Sequence, residues 1–280
     1  MSARRGGRDT VSFLSDYGTD DEFVGVVKSV LRQLAPHAVV IDITHEVPPH
    51  DVRAGALALR RAAPFLVPGV VLAVVDPGVG TDRRAVAAEV GPDPRWAVVG
   101  PDNGLLTPAL DALGGPGRAV SLGNPRRPPG AGSTFDGRDL FAPAAAQLCA
   151  GTDLGDLGPL IDPASLVPGP RPSTVSKGTG VETEVTWIDR FGNAQLAARP
   201  EDVAELGERV WLTLPGREVA AHRASSFADI GPGQVGLVVD SWGMIAVALD
   251  RRSAADELGL AAGDQVVLDR PTRDGGRSGR

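Results

Sequence analysis

The stretch VSFLSDYGTDDEFVGVVKSVLRQLAPHAVVIDIT, Val11 to Thr44, decides the fold class. An apolar run, Val11 to Asp16, is followed by a turn at Gly18, a segment of helical period from Asp21 to Leu34, and a second Val/Ile-rich run from Val39 to Thr44. Strand, helix and strand in this order form a βαβ unit, whose crossover helix returns the chain to a parallel neighbour. Outward from it the alternation continues. Strands are expected at Val70 to Asp76, Ala85 to Val90 and Trp96 to Gly100, and helices at Asp51 to Phe65, Leu105 to Leu113 and Leu140 to Ala150. Asp20 and His50 stand at N-cap or first-turn positions, and Pro143 is tolerated in a first helical turn.

The character changes along LIDPASLVPGPRPSTVSKGTG, 160–180, where Pro, Gly and Ser displace apolar residues. Beyond it, VETEVTWID, RVWLTL, VGLVVDS and MIAVAL are short alternating strands with little helix between them, the pattern of a small antiparallel sandwich or barrel. The expected organisation is an α/β domain over 8–165, with a largely parallel sheet flanked by helices, a linker over 166–178, and a smaller all-β barrel over 179–270. The tails 1–7 and 271–280 are expected to be disordered.

A chain of 280 residues, 42% hydrophobic, has room for two cores. Its net charge of −7 argues against a nucleic-acid partner, which calls for a clustered basic face, and suits a cationic or zwitterionic small molecule. The lone Cys149 can form no internal disulfide, and four histidines with one cysteine supply no zinc cage; no metal is expected. The most apolar stretch, FLVPGVVLAVV, is broken by Pro68 and Gly69, so no membrane span is expected. The opening MSARRGG lacks the apolar run of a signal peptide, which points to the cytoplasm.

In open α/β sheets ligands bind beyond the carboxyl ends of strands. Acidic segments fall at such ends. In SDYGTDDEF, Asp16 closes the first strand and admits two readings, part of a solvated turn or a carboxylate that accepts both hydroxyls of a ribose; Asp20 reads as a cap. In AVVDPGVGTDRRAV, Asp76 closes a core strand and Arg83 follows a glycine-lined turn. This segment admits two readings, a buried structural ion pair, or an Arg83 that holds Asp76 ionised so that the pair orients a water or small anion. GPDNGLL, 100–106, reads as turn and cap. STFDGRDLFAP, 133–143, sets Asp136, Arg138 and Asp139 just before a helix, more charge than a plain loop requires. In the second domain, Asp189 and Asn193 flank the turn of WIDRFGNAQL, and Ser241 lies at a hairpin in VVDSWGMI; turn chemistry accounts for each, and an Asn amide also suits a purine edge. No phosphate-cradling loop ending in GK[ST], no HExxH and no GxSxG is present.

Taken in order, FLSDYGTDDEFVG, VIDITHEVPPHDV, VVDPGVGTDRR, GPDNGLL, STFDGRDLFAP, DRFGNAQL and DSWGMIAVAL resemble the S-adenosyl-L-methionine (SAM) hydrolases, or SAM hydroxide adenosyltransferases, relatives of the fluorinase and chlorinase. The resemblance runs from about Val11 to Leu268. It implies a homotrimer with sites between subunits, no cofactor beyond the substrate SAM, and attack of water or hydroxide at ribose C5′ to release adenosine and methionine. It further implies that Asp16 binds the ribose hydroxyls, Asp21 lies near the methionine end, Asp189 meets the methionine amino group, Asn193 the adenine edge and Ser241 the methionine carboxylate. Phe227 matches an adenine-stacking aromatic, His50 a pocket-wall position, and Arg251 a backbone contact to adenine. Asp76, Arg83 and Gly137 match the hydroxide-using branch rather than the halide users. One position departs. Hydrolases carry TFHGRD and this chain carries TFDGRD, with Asp136 for His, so the catalytic set is expected to be Asp76, Arg83 and Asp136. Asp136 then either replaces His as an acceptor for the nucleophilic water or leaves a protein that binds SAM or adenosine with little turnover.

Overall fold

The structure, a computed structural model, describes residues 8–91, 93–123, 125, 127–214 and 216–271, so of the tails expected to be disordered only Pro271 lies within it. The chain divides into two compact units between Pro170 and Arg171. The first is the expected α/β domain. Its sheet holds β1 (Thr10–Ser15), β2 (Val39–Thr44), β3 (Val70–Val74), β4 (Ala85–Val90), β5 (Ala97–Pro101), β6 (Pro116–Ser121) and β7 (Leu160–Ile161), in the order β2-β1-β3-β5-β4-β6-β7. The strands from β2 to β5 are parallel, and β4, β6 and β7 continue the sheet antiparallel.

Helices α1 (Phe23–Leu34) and α4 (Ala142–Cys149) pack together on one face, α2 (Val52–Ala62) and α3 (Thr107–Leu113) on the other. Alternate residues of each strand supply the two cores, as the pleat requires: Val11 and Phe13 face α1 and α4, and Leu14 faces α2. Helix starts differ from expectation by a turn or less. Residues 20–22 remain outside α1, while α4 is entered through a wide π-type turn, Gly137–Phe141, where Pro143 has no N–H to offer the turn before it.

The second unit is a closed barrel. Its strands are β8 (Thr174–Lys177), β9 (Gly180–Ile188), β10 (Ala194–Leu196), β11 (Arg209–Leu214), β12 (Arg217–Arg223), β13 (Val235–Val239), β14 (Ile245–Leu249) and β15 (Gln265–Asp269). The order β10-β14-β13-β12-β11-β15-β9 closes where β9 pairs with β10, and β8 extends it at β9. Pairing is antiparallel except between β12 and β13. Val185, Leu212, Val247 and Leu268 fill the interior.

Candidate functional site

The chain leaves β1 towards α1 and the outer strand β2, whereas β3, adjacent to β1, leads towards the opposite side of the sheet. Connections that diverge from neighbouring parallel strands open a crevice at their carboxyl ends. Asp16 follows β1 directly and Asp76 follows β3 by two residues. A cleft of about 240 Å³ lies there, lined by Asp16, Tyr17, His50, Asp76, Asp136 and Gly137, with Phe23 and Phe135 among its apolar walls.

Asp16 is fixed from β3 and from the loop ahead of α2: its N–H donates to Val74 O at 3.3 Å, and its Oδ2 accepts the His50 N–H at 2.9 Å. His50 holds a left-handed backbone, φ 66°, a conformation that costs a non-glycine residue of order 1–3 kcal/mol. The constraint comes from its successor, because Asp51 caps α2 through Ala54 N at 2.8 Å. Oδ1 of Asp16 has no partner among the described residues, so a bound diol has an acceptor.

Asp76 lies beyond the end of β3, where Asn103 Nδ2 takes up Val75 O at 2.9 Å before the turn at Pro77. Arg83 Nε donates to Asp76 Oδ1 at 2.9 Å and Oδ2 at 3.0 Å, and its Nη2 donates to both Asp76 Oδ2 and, at 2.6 Å, Asp136 Oδ2. Arg127 approaches Asp136 Oδ1 at 3.4 Å from the far side. The result is an alternating row, Asp76–Arg83–Asp136–Arg127, whose two carboxylates are 6% and 5% exposed. Gly80, φ 78°, makes the row possible. A Cβ there would stand 2.9 Å from Ser133 O, so only glycine lets the turn close on the segment that carries Asp136. The Arg83 guanidinium also lies 5.2 Å from the Phe141 ring centroid. Burial pulls its pKa down, but the hydrogen bonds and charges of Asp76 and Asp136 outweigh that and raise it above the ordinary arginine value.

Neighbouring charges are structural. Arg84 turns to Asp102 at 2.8 Å, and Asp102 also accepts Val167 N at 2.8 Å; Asn103 Oδ1 accepts Leu105 N at 3.2 Å, as the turn reading of GPDNGLL expects, but no side chain caps α3, whose N-cap is Leu106. Arg138 and Asp139 pair with each other at 2.6 and 3.0 Å. Asp136 precedes the π-type turn but makes no capping bond with its side chain, which faces Arg83 instead.

Sequence reasoning missed Tyr17, Arg127 and His45. Tyr17 stacks edge-on against Phe135, centroids 5.7 Å apart, and lies 5.7 Å from Phe23. Burial above all, then the charges of Asp16, Asp76 and Asp136, push its pKa far up against the opposing effect of Arg83, so the phenol stays protonated. A signal existed, since this is the chain's only tyrosine and it directly follows Asp16. Buried His45 accounts for the DITH stretch: Nδ1 meets Ser15 Oγ at 2.8 Å, its carbonyl accepts Gly18 N at 2.8 Å, and Nε2 stands 3.1 Å from Asp42 Oδ1. It thus clamps both ends of the Ser15–Gly18 turn that presents Asp16 and Tyr17. His45→Ala leaves a cavity and an unpaired buried hydroxyl, and is expected to cost about 2–4 kcal/mol, read as a lower urea midpoint at unchanged slope.

Of the remaining candidates, Asp21 is exposed ahead of α1 and is not among the residues lining the cleft. On the barrel, Asp189 Oδ1 accepts Phe191 N at 2.8 Å and Asn193 N at 2.9 Å, while Oδ2 accepts Asn193 Nδ2 at 2.8 Å. Asp189 is therefore a turn-former that fixes the Asn193 amide. Gly192 O accepts Ala255 N at 2.9 Å, which draws this turn towards the segment after β14 where Arg251 holds a left-handed φ of 51°. Ser241 lies exposed in the β13–β14 hairpin, where Asp240 Oδ1 accepts Trp242 N at 2.8 Å and Met244 N at 3.0 Å. Phe227 is 52% exposed in a single 3₁₀ turn. Among the described residues no group of three or more His, Cys, Asp or Glu side chains is placed to hold a metal.

An acidic crevice at diverging strand ends, with a guanidinium locked between two carboxylates, defines a small-molecule enzyme of the α/β class with an appended barrel. Residues 11–158 match the SAM hydroxide adenosyltransferase N-terminal domain and residues 183–267 the C-terminal domain. The chain belongs to the SAM hydroxide adenosyltransferase family. It is 46% identical to an (R)-S-adenosyl-L-methionine hydrolase of Salinispora tropica over 91% of this chain and 96% of that one. A fluorinase of Actinoplanes sp. is more distant, 29% identical over 94% and 98%. Among solved structures, an uncharacterized conserved protein from Thermotoga maritima superposes with a TM-score of 0.84 at 31% identity, over 93% of this chain and all of the other.

Proposed function

We propose that this protein hydrolyses SAM at ribose C5′, releasing adenosine and methionine. The observation that carries this reading is the Asp76–Arg83–Asp136 arrangement in the cleft that also holds Asp16. The sulfonium departs as a neutral thioether, so the reaction needs no general acid; it needs a nucleophile in line behind C5′ and little solvent around it. Asp16 binds the ribose diol. Water has a pKa near 15.7 and carboxylates near 4, so neither Asp deprotonates it beforehand. As the C5′–O bond forms and the C5′–S bond breaks, the water oxygen gains positive charge and its proton becomes acidic. Asp136 then accepts it, and Arg83 holds both carboxylates in place throughout. A halide would have to enter beside two carboxylates that repel it, whereas neutral water is attracted.

In the same reading Asp21 and Asp189 serve the methionine amino end, Ser241 its carboxylate, Asn193 and Phe227 the adenine, His50 the pocket wall, and the Arg251 backbone the adenine edge. The assembly is a homotrimer with each site shared between subunits. Support comes from the barrel, where Phe191 and Phe227 are 77% and 52% exposed, apolar surface that suits a partner face. The setting is the cytoplasm; among the described residues no helix is long and apolar enough to cross a membrane. A second reading, a SAM or adenosine binder with little turnover, is favoured by the engagement of both Asp136 oxygens by arginines. Chromatography of SAM incubations with and without chloride separates the readings. Halide-independent adenosine supports the hydrolase, a chlorinated nucleoside overturns it, and a thermal shift without product supports the binder.

Arg127 is more exposed than Arg83 and its contact longer. Arg127→Ala is therefore expected to lower kcat/KM by only about 3–10-fold, the size of one partly solvated ionic hydrogen bond, measured by adenosine release.

A further inference from the structure

Tyr17 lines the cleft with Asp16, Asp76 and Asp136, yet its hydroxyl makes no hydrogen bond to any described residue. Its ring is held on three sides, by Phe13 at 6.5 Å and by Phe23 and Phe135 at 5.7 Å each, and its backbone by the Ser15–His45 pair. Oη therefore has a defined position, directly over Gly137: a Cβ at 137 would collide with Oη and stand 3.1 Å from Cζ. The hydroxyl is thus beside the residue that follows Asp136.

The surroundings of a water at this place are rich in acceptors. Asp76 and Asp136 are acceptor-only, and the Nε and Nη2 donors of Arg83 are directed at them. Each carboxylate retains lone-pair capacity for a water proton. Apart from Nη1 of Arg83, which makes no hydrogen bond to a described residue, the row offers the water oxygen no donor.

We propose that Tyr17 is a further catalytic residue, whose O–H donates a hydrogen bond to the attacking oxygen. The water then donates one hydrogen bond to Asp76 and one to Asp136, accepts one hydrogen bond from Tyr17, and keeps one lone pair directed at C5′; one of its protons stays on the oxygen as the 5′ hydroxyl of adenosine. No proton leaves Tyr17 in this step; the proton released as C5′–O forms and C5′–S breaks goes to Asp136. The role rests on the hydrolase reading above. It also gives Gly137 a reason: any side chain there displaces the donor.

The test is Tyr17→Phe, which removes only the oxygen, followed by SAM kinetics and adenosine calorimetry on the full-length protein. The expected result is a kcat lowered about ten-fold or more, as for loss of one preorganised donor, with KM and the adenosine Kd within about two-fold and an unchanged melting temperature. Because the chain has one tyrosine, tyrosine labelled with 13C at Cζ gives a single resonance, expected to shift when adenosine and water fill the site. Gly137→Ala, which displaces the hydroxyl, is expected to lower kcat to about the level of Tyr17→Phe, and the double variant to fall little further. An equally active Tyr17→Phe overturns the proposal alone, as does a raised KM at unchanged kcat, which would make the hydroxyl a substrate ligand. A wild type that forms no adenosine overturns the hydrolase reading and the proposal with it.

Discussion

Asp136→Asn is expected to lower kcat by about 10²-fold or more while leaving adenosine affinity within about two-fold. The amide keeps the shape of the carboxylate and one acceptor oxygen for Arg83, so the fold and the substrate pocket have little reason to change. It loses the charge and the capacity to take the proton from the oxygen as the bond to C5′ forms. Because that demand arises in the transition state, the loss belongs in kcat and not in KM. Asp136→His, which restores the residue found in the TFHGRD motif of hydrolases, is expected to retain activity with an altered pH profile, since an imidazole must be neutral to accept the proton. Steady-state kinetics across pH on the three proteins reads both expectations. Activity of Asp136→Asn equal to the wild type would remove Asp136 from the chemistry.

Arg83→Met is expected to be the most damaging single change, abolishing measurable adenosine release and lowering unfolding free energy by about 3–5 kcal/mol. Two carboxylates that are 6% and 5% exposed would then face each other, with only the longer Arg127 contact to offset them. The aliphatic Met side chain still fills the space against Phe141, so the cost comes from uncompensated charge and not from a cavity. Arg83→Lys separates the two effects. An ammonium keeps the charge but not the fork that reaches both carboxylates, so much of the stability should return while turnover stays low by about 10²-fold. Urea denaturation beside the adenosine assay checks both. Full activity in Arg83→Lys would mean that charge alone matters, and that the fork geometry does not.

The fold was legible because its signals are local. The Val11–Thr44 unit carries both of its strands and its crossover helix in one continuous pattern, and of the barrel strands expected to alternate β11 does so, whereas β13 and β14 are short apolar runs buried along nearly their whole length and legible as such. Strand β12, REVAAHR, buries only Ala221 and so has no apolar alternation to read, and β8 lies in the Pro/Gly/Ser-rich stretch expected to be linker. In the site, Asp16, Asp76, Arg83 and Asp136 were legible because carboxylates at strand ends and a charged cluster before a helix are costly unless used. What the sequence could not reveal was pairing at a distance. Nothing local says that Arg83 turns to Asp136 while Arg84 turns to Asp102, or that Asp139 is spent on Arg138. The same holds for Tyr17, whose importance comes from a glycine 120 positions away, and for His45, whose ring lies under a turn formed by another strand.

The most direct test of water as the nucleophile is incubation of the wild-type protein with SAM in 18O-labelled water, with mass spectrometry of the nucleoside. Adenosine carrying one 18O, located at the 5′ oxygen, is the expected result. Adenosine without label, or SAM bound and returned intact, would contradict the proposed chemistry.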